Sequence, residues 1–324
     1  MCTAVSFYAD GLYFGRTLDY ENSYGEDIVI MPRRFRLAYA EDGALSEHYA
    51  VIGTAHVAQG YPLFYDAVNE KGLAMAGLNF VGNAVYREPC TGRENIAQYE
   101  LIPRILSCCA DTKEAEKLLS RVNITNTSFS NDMPTAQLHW ILADADRTIT
   151  VEAMQNGLYV HENPVGVLTN NPPFQEQLFR LNDYMHLSAK KPQNTFGGNL
   201  PLEHYSRGMG AIGLPGDVSS QSRFVRAAFT RANALTGQTE LENVGQVFHI
   251  MGTVEQVKGC CEVGEGEYEH TIYTACADAK RGVYYYTGYH CRQITAVSMH
   301  HEDLEGTELY CYPMQRTERV YLQN

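Results

Sequence analysis

The chain opens on an alternation of polar and apolar residues. Thr3–Tyr8 runs T-A-V-S-F-Y, turns at Ala9-Asp10-Gly11, and resumes as Leu12–Asp19. Period two on both sides of a Gly-containing turn predicts a β-hairpin. Asp27–Pro32 and Tyr49–Thr54 have strand composition. Asn69-Glu70-Lys71-Gly72 predicts a turn, followed by the small-residue apolar strand Leu73–Phe80. Then the period lengthens. Tyr99–Cys109 and Thr112–Val122 read as helices. Asp111 is placed to cap the second, with Glu114 as its capping-box partner.

Strand composition returns at Gln137–Ala143 and Thr148–Met154, around Asp144-Ala145-Asp146, and in short pieces at Asn156–Val160 and Val165–Thr169. Pro172 suits the first turn of a helix. The stretch from Lys190 to Gly216 is rich in Gly, Pro, Asn and Ser, and a loop of that length points to a function. Ser219–Leu235 reads as a helix ending at Gly237, and Asn243–Met251 as another. His270–Asp278, Gly282–Tyr289, Gln293–Met299 and Glu308–Tyr312 read as strands. Blocks of strands alternating with blocks of helices predict an α+β fold, with two antiparallel sheets between helical layers.

With 324 residues and 44% hydrophobic content, the chain can bury a large core. Its formal charge is −13 and its pI near 5.3, and no Lys/Arg cluster looks like a nucleic-acid footprint. Nucleic acid is therefore not expected as a partner. An anionic substrate would have to be held by local arginines. The start of the chain lacks the basic and apolar regions of a secretory signal. No apolar run is long enough for a membrane span. Nine cysteines, an odd number with no CxxC spacing, predict neither a disulfide framework nor a metal site. Reduced, mostly buried thiols in a cytoplasmic protein are expected.

Cys2 directly follows Met1. Methionine before a small residue is normally trimmed, which would leave Cys2 with a free α-amine beside its thiol. An α-amine titrates at about 8, so near neutral pH part of it can take a proton. A thiolate attacks carbonyls far better than a thiol. Such a nucleophile needs fixed positive charge, an acceptor for its amine and donors for an oxyanion. Arg16 and Asp19 lie on the second hairpin strand, beside Cys2. They are either partners of its thiol and amine or a surface ion pair. Asn79 closes the apolar run AMAGLNF (74–80), either as a satisfied structural amide or as an oxyanion donor. Asn170-Asn171 before Pro172 is compatible with ordinary turn chemistry. Arg223 falls early in a helix, where the macrodipole mildly opposes a cation, and this hints at another task. His300-His301-Glu302 is expected at the surface, and His139 as a packed strand histidine. No GxSxG, P-loop, HExxH or Rossmann glycine pattern occurs in context.

Six segments, in this order, resemble the choloylglycine hydrolase family, which contains bile salt hydrolases and penicillin V acylases. They are Met1-Cys2-Thr3, FGRTLDY (14–20), NEKGLAMAGLNF (69–80), QLHWILAD (137–144), GVLTNNP (166–172) and GLPGDVSSQSRF (213–224). The resemblance implies one domain over 1–324 with Met1 removed, and an N-terminal nucleophile (Ntn) hydrolase with an αββα four-layer sandwich. It implies Cys2 as nucleophile, flanked by Arg16 and Asp19. Asn79, through its backbone N–H, and Asn170 would form the oxyanion hole, and Arg223 would add positive charge near the thiol. A thioester at Cys2 would be hydrolysed by water, with no metal or organic cofactor. The family also implies a homotetramer.

Asn79 in Gly77-Leu78-Asn79-Phe80 resembles the bile salt hydrolase form of its motif, where penicillin V acylases more often carry tyrosine. The expected substrates are therefore glycine- or taurine-conjugated bile salts. Ser206-Arg207-Gly208 resembles the form associated with glycine conjugates, and Arg207 is expected to pair with the glycine carboxylate. Ser206, Phe80 and Tyr20 are expected to border the substrate as well. The alternatives are a penicillin V or N-acyl homoserine lactone acylase of the same family, and, outside enzymes, a redox-sensing thiol protein built on Cys2.

Overall fold

The computed structural model describes residues 1–324. The opening hairpin forms as expected: β1 (Cys2–Tyr8) pairs with β2 (Leu12–Tyr20), with Cys2 opposite Leu18 and Ala4 opposite Arg16. Nearly every residue of both strands is buried. A hairpin buried on both faces must lie inside the layers. It is part of a six-stranded antiparallel sheet in the order Val167–Leu168, β1, β2, His270–Asp278, Val283–Gly288, Cys291–Ser298. The second sheet has eight strands, in the order Gly157–Glu162, Thr148–Met154, Leu138–Ala143, Ala74–Asn79, Tyr61–Asn69, Val51–Ala58, Asp27–Met31, Tyr310–Pro313.

Helices cover the outer faces. The helices α1 (Leu101–Cys108) and α2 (Thr112–Leu119) set Leu101, Ile105, Ala115 and Leu118 in one cluster with Met75, Trp140 and Val151 of the eight-stranded sheet. The short α3 (Phe174–Arg180) follows Asn170. Two further helices, α4 (Ser220–Asn233) and α5 (Glu240–Gly252), cover the six-stranded sheet. Their Phe224, Ala227, Val247 and Met251 belong to a second cluster, which continues between the sheets through Phe14, Leu18, Ile52, Val68 and Leu78. The result is the α+β, four-layer arrangement expected.

Several local expectations are corrected. Tyr61–Asn69 is a central strand that the pattern did not announce. The 167–168 strand keeps only the middle of Val165–Thr169. Helix α4 stops at Asn233, short of Gly237, where Ala234 turns to extended backbone; the Gly237 N–H instead serves the next helix, donating to Asn243 Oδ1 at 2.7 Å. Asp111 does cap α2, accepting from Glu114 N–H at 2.8 Å, but Glu114 Oε2 takes the Ala110 N–H, so no capping box closes. All nine cysteines are free, but Cys90, Cys108, Cys260 and Cys311 are exposed. They sit in irregular segments, at a helix end or on an edge strand, outside the two cores. No helix is long and apolar enough to cross a membrane.

Candidate active site

The hairpin register brings Arg16 to Cys2. Arg16 Nη2 donates to Cys2 Sγ at 3.2 Å and to Gly77 O at 3.2 Å. Its Nη1 donates to the Tyr273 hydroxyl at 2.7 Å and to Asp66 Oδ1 at 3.1 Å, and its Nε to Thr17 O at 3.1 Å. Five donors thus find five acceptors, as a buried guanidinium requires. Burial acts to strip the proton, but Tyr273, Cys2 and Asp66 outweigh it and hold Arg16 firmly charged.

Asp66 is the counter-ion. Tyr273 donates its hydroxyl to Asp66 Oδ1 at 2.6 Å, and the Tyr284 hydroxyl donates to Oδ2. Tyr284 in turn accepts from Thr54 Oγ1 at 2.7 Å. Desolvation pushes both tyrosines well above their ordinary range, so they remain donors.

A second group holds the Cys2 backbone. Asn170 Oδ1 accepts from the Cys2 N–H at 2.9 Å and from Arg223 Nη2 at 2.7 Å. Both partners can only donate, which fixes the orientation of the amide. Its Nδ2 donates to Asn79 O at 2.8 Å, leaving one amide N–H uncommitted. Arg223 Nη1 donates to Cys2 O at 2.6 Å and to Thr3 Oγ1 at 2.7 Å. Arg223 is fully buried without a carboxylate partner, and burial lowers its pKa against the pull of Asp19 and Cys2.

Asp19 lies one shell further out. Its Oδ1 accepts from Thr271 Oγ1 at 2.7 Å, and its Oδ2 from Thr17 Oγ1 and Gln256 Nε2, both at 3.2 Å. Met1 is joined to Cys2 here, so the Cys2 nitrogen is a peptide N–H. The Met1 ammonium donates to Asp19 O at 2.7 Å and pairs with Glu269. Burial lowers its pKa, against the opposing fields of Cys2 and Asp19. With Met1 attached, the Cys2 N–H is held by Asn170 and not by the Asp19 carboxylate.

All six expected residues, Cys2, Arg16, Asp19, Asn79, Asn170 and Arg223, converge on one cluster where the sheets meet. The four outer ones do not behave alike. Phe80 has 0% exposure and stacks on His139 at 4.2 Å, so it stands behind the wall and not on it. Tyr20 is half-buried against Tyr24. Ser206 and Arg207 are exposed in the long loop and make no hydrogen bond to the cluster. Sequence reasoning missed Asp66, Tyr273, Tyr284, Thr17 and Gln256. Only Asp66 carried a signal, as a lone acid between Tyr65 and Ala67-Val68.

A thiol beside a fixed cation, with amide donors close to its backbone, is suited to attack on a carbonyl. The chain resembles known proteins along its whole length. It is 49% identical over 324 residues to "Bile salt hydrolase/transferase" of Lactiplantibacillus plantarum, covering 100% of both chains. A crystal structure of the C2A mutant of conjugated bile acid hydrolase from Clostridium perfringens superposes with a TM-score of 0.93 at 33% identity, covering 100% of both chains. Penicillin V acylase from Agrobacterium tumefaciens shares the fold, with a TM-score of 0.75 at 21% identity over 99% of this chain and 100% of that one. Residues 2–312 match the description "Linear amide C-N hydrolases, choloylglycine hydrolase family", and the chain belongs to that family.

Proposed function

We propose that this protein is a bile salt hydrolase that cleaves glycine- or taurine-conjugated bile acids through a thioester on Cys2. Met1 is removed first, which turns the Cys2 nitrogen from a peptide N–H into an α-amine. The amine takes the thiol proton while Arg16 stabilises the thiolate. Cys2 Sγ then bonds to the amide carbon, and the carbonyl electron pair moves to oxygen. The Asn79 backbone N–H and the Asn170 side chain receive that oxyanion. The α-ammonium protonates the leaving nitrogen as the C–N bond breaks. Water then attacks the thioester, gives its proton back through the amine, and the thiol returns. No step calls for a cofactor.

The observation that carries this reading is Arg16 Nη2 at 3.2 Å from Cys2 Sγ, together with Asn170 Oδ1 at 2.9 Å from the Cys2 nitrogen. The bile salt assignment is supported by the full-length likeness to the L. plantarum enzyme and by Asn79 in its motif. The protein works as one domain over 1–324, in the cytoplasm and as a homotetramer, and Arg207 favours glycine conjugates. The test is amine release from glycocholate, taurocholate and penicillin V by the Met1-trimmed protein, with Cys2→Ala alongside. Bile salt cleavage that is lost in the mutant supports the reading. Cleavage of penicillin V alone moves the function to an acylase. An unchanged glycine/taurine preference in Arg207→Ala removes that residue's role.

A further inference from the structure

We propose that His139 and Glu152 are positioning residues that clamp the segment carrying Asn170 and so aim the oxyanion donors; the inference rests on the hydrolase reading above. Both side chains have 0% exposure. His139 Nε2 lies 2.9 Å from Thr169 O, and His139 Nδ1 lies 3.0 Å from Glu152 Oε1. A carbonyl oxygen only accepts, so Nε2 carries a proton. One further proton lies between Nδ1 and Oε1, on whichever of the two atoms. Glu152 Oε1 also accepts the Phe174 N–H at 3.0 Å. The pair therefore grips the chain just before Asn170, at Thr169, and again after it, at Phe174.

The same imidazole also packs beside the other donor. It stacks on Phe80, the residue after Asn79, with ring centroids 4.2 Å apart and 8° between planes. Gln177 holds the loop from a third side, donating to Asn170 O at 2.5 Å and Pro172 O at 2.7 Å and accepting from Thr169 Oγ1 at 2.8 Å. Glu152 Oε2 has no hydrogen-bond partner and faces His161 Nε2, also unpartnered, at 3.8 Å. A buried His–Glu pair is a poor device for stability alone, since apolar residues of similar volume usually serve as well. What it supplies is direction, two bonds at fixed points on either side of Asn170.

The test uses Met1-trimmed Glu152→Gln and His139→Phe. In Glu152→Gln the amide oxygen keeps the Phe174 N–H. His139 must then hold an unpaired buried charge or release Thr169 O. His139→Phe keeps a ring on Phe80 and loses both bonds. The expected result for each is a fall in kcat on glycocholate of about tenfold to a hundredfold, as misplaced catalytic groups give. KM should stay within about threefold. Alkylation of Cys2 by iodoacetamide needs no oxyanion donor, so its rate should stay within about twofold of wild type. Unchanged kcat in a folded variant overturns the proposal. So does a parallel fall of kcat and alkylation rate, which would mean general loss of the site. If one variant does not fold, the other decides. Wild-type protein that cleaves neither bile salts nor penicillin V overturns the hydrolase reading itself, and this inference with it.

Discussion

Arg16 keeps its charge with 1% exposure, and that charge lies 3.2 Å from Cys2 Sγ. A cation persists in such a place only if fixed acceptors replace the water it has lost. Asp66 supplies the one full negative charge among them, and Tyr273 and Tyr284 keep Asp66 itself hydrogen-bonded. Asp66→Asn preserves size but leaves the guanidinium without its counter-ion. We expect it to lower stability by about 3–5 kcal/mol, the usual cost of breaking a buried pair. Urea unfolding measures this, and a loss within error of zero would mean that Arg16 is balanced by Cys2 alone. Tyr284→Phe removes one hydrogen bond to the same carboxylate and should lose only about 1–3 kcal/mol. Asn170→Ala acts on chemistry as well as on stability, since it also takes the acceptor from the buried Arg223 Nη2. In the mechanism proposed above it removes an oxyanion donor, so kcat should fall by about 10²–10³-fold while KM moves little. Steady-state kinetics on the trimmed enzyme checks this, and a change confined to KM would place Asn170 in substrate binding instead.

At the level of single elements, the parts legible in the sequence were those governed by neighbours along the chain. The β1–β2 hairpin shows in its alternation and turn. Helix α2 shows in its Asp111 cap. The strand Tyr61–Asn69 did not show, because Pro62 and Asp66 interrupt what would otherwise read as apolar. The ladder is also irregular at Tyr65, where a bulge leaves Phe64 in the cluster with α1 and α2 and turns Asp66 to the space between the sheets. The residue that disguised the strand is the one that Arg16 needs. Arg223 was flagged by its awkward place in α4, but its partners Cys2 and Asn170 lie 221 and 53 residues away, beyond any local pattern.

Asp144 shows a similar long reach that was missed. Its Oδ2 accepts from Thr112 N–H and Oγ1, both at 2.7 Å, and its Oδ1 from the N–H groups of Asp146 and Arg147. Burial acts to raise its pKa, but these donors outweigh it and hold it below the ordinary carboxylate value. A depressed folded pKa gives stability that is present above the unfolded value, about 3.9, and is lost as pH falls through the folded value. Asp144→Asn should therefore melt lower than wild type at pH 7. The gap should close as pH drops below about 4. Thermal melts across that range test it, and a gap independent of pH would mean that shape, not charge, matters at this position.

On the scale of the whole molecule, the site exists only because layers meet. Cys2 and Arg16 come from one sheet, Asp66 and Asn79 from the other, Arg223 from α4, and Asn170 from the segment between the 167–168 strand and α3. The spacing of these layers is set by small residues, and Gly15 is the clearest case. A Cβ added there would sit 2.6 Å from Val247 Cγ1 and 3.3 Å from Met251 Cγ and Sδ, on the buried face of α5. Branched Val247 cannot yield without moving the helix off the sheet, so Gly15→Ala should cost about 1–3 kcal/mol by overpacking. Gly245, on the same helix, has nothing within 4 Å of where its Cβ would stand. Gly245→Ala should therefore stabilise by about 0.5–1 kcal/mol, because alanine loses less backbone entropy in a helix. The side-chain change is identical, but one site is a strand position packed against α5 and the other an open position on the helix itself. Opposite shifts in Tm would support the tight seating of α5 against the sheet. Equal shifts, or a stabilised Gly15→Ala, would mean that the layers are looser than this packing requires.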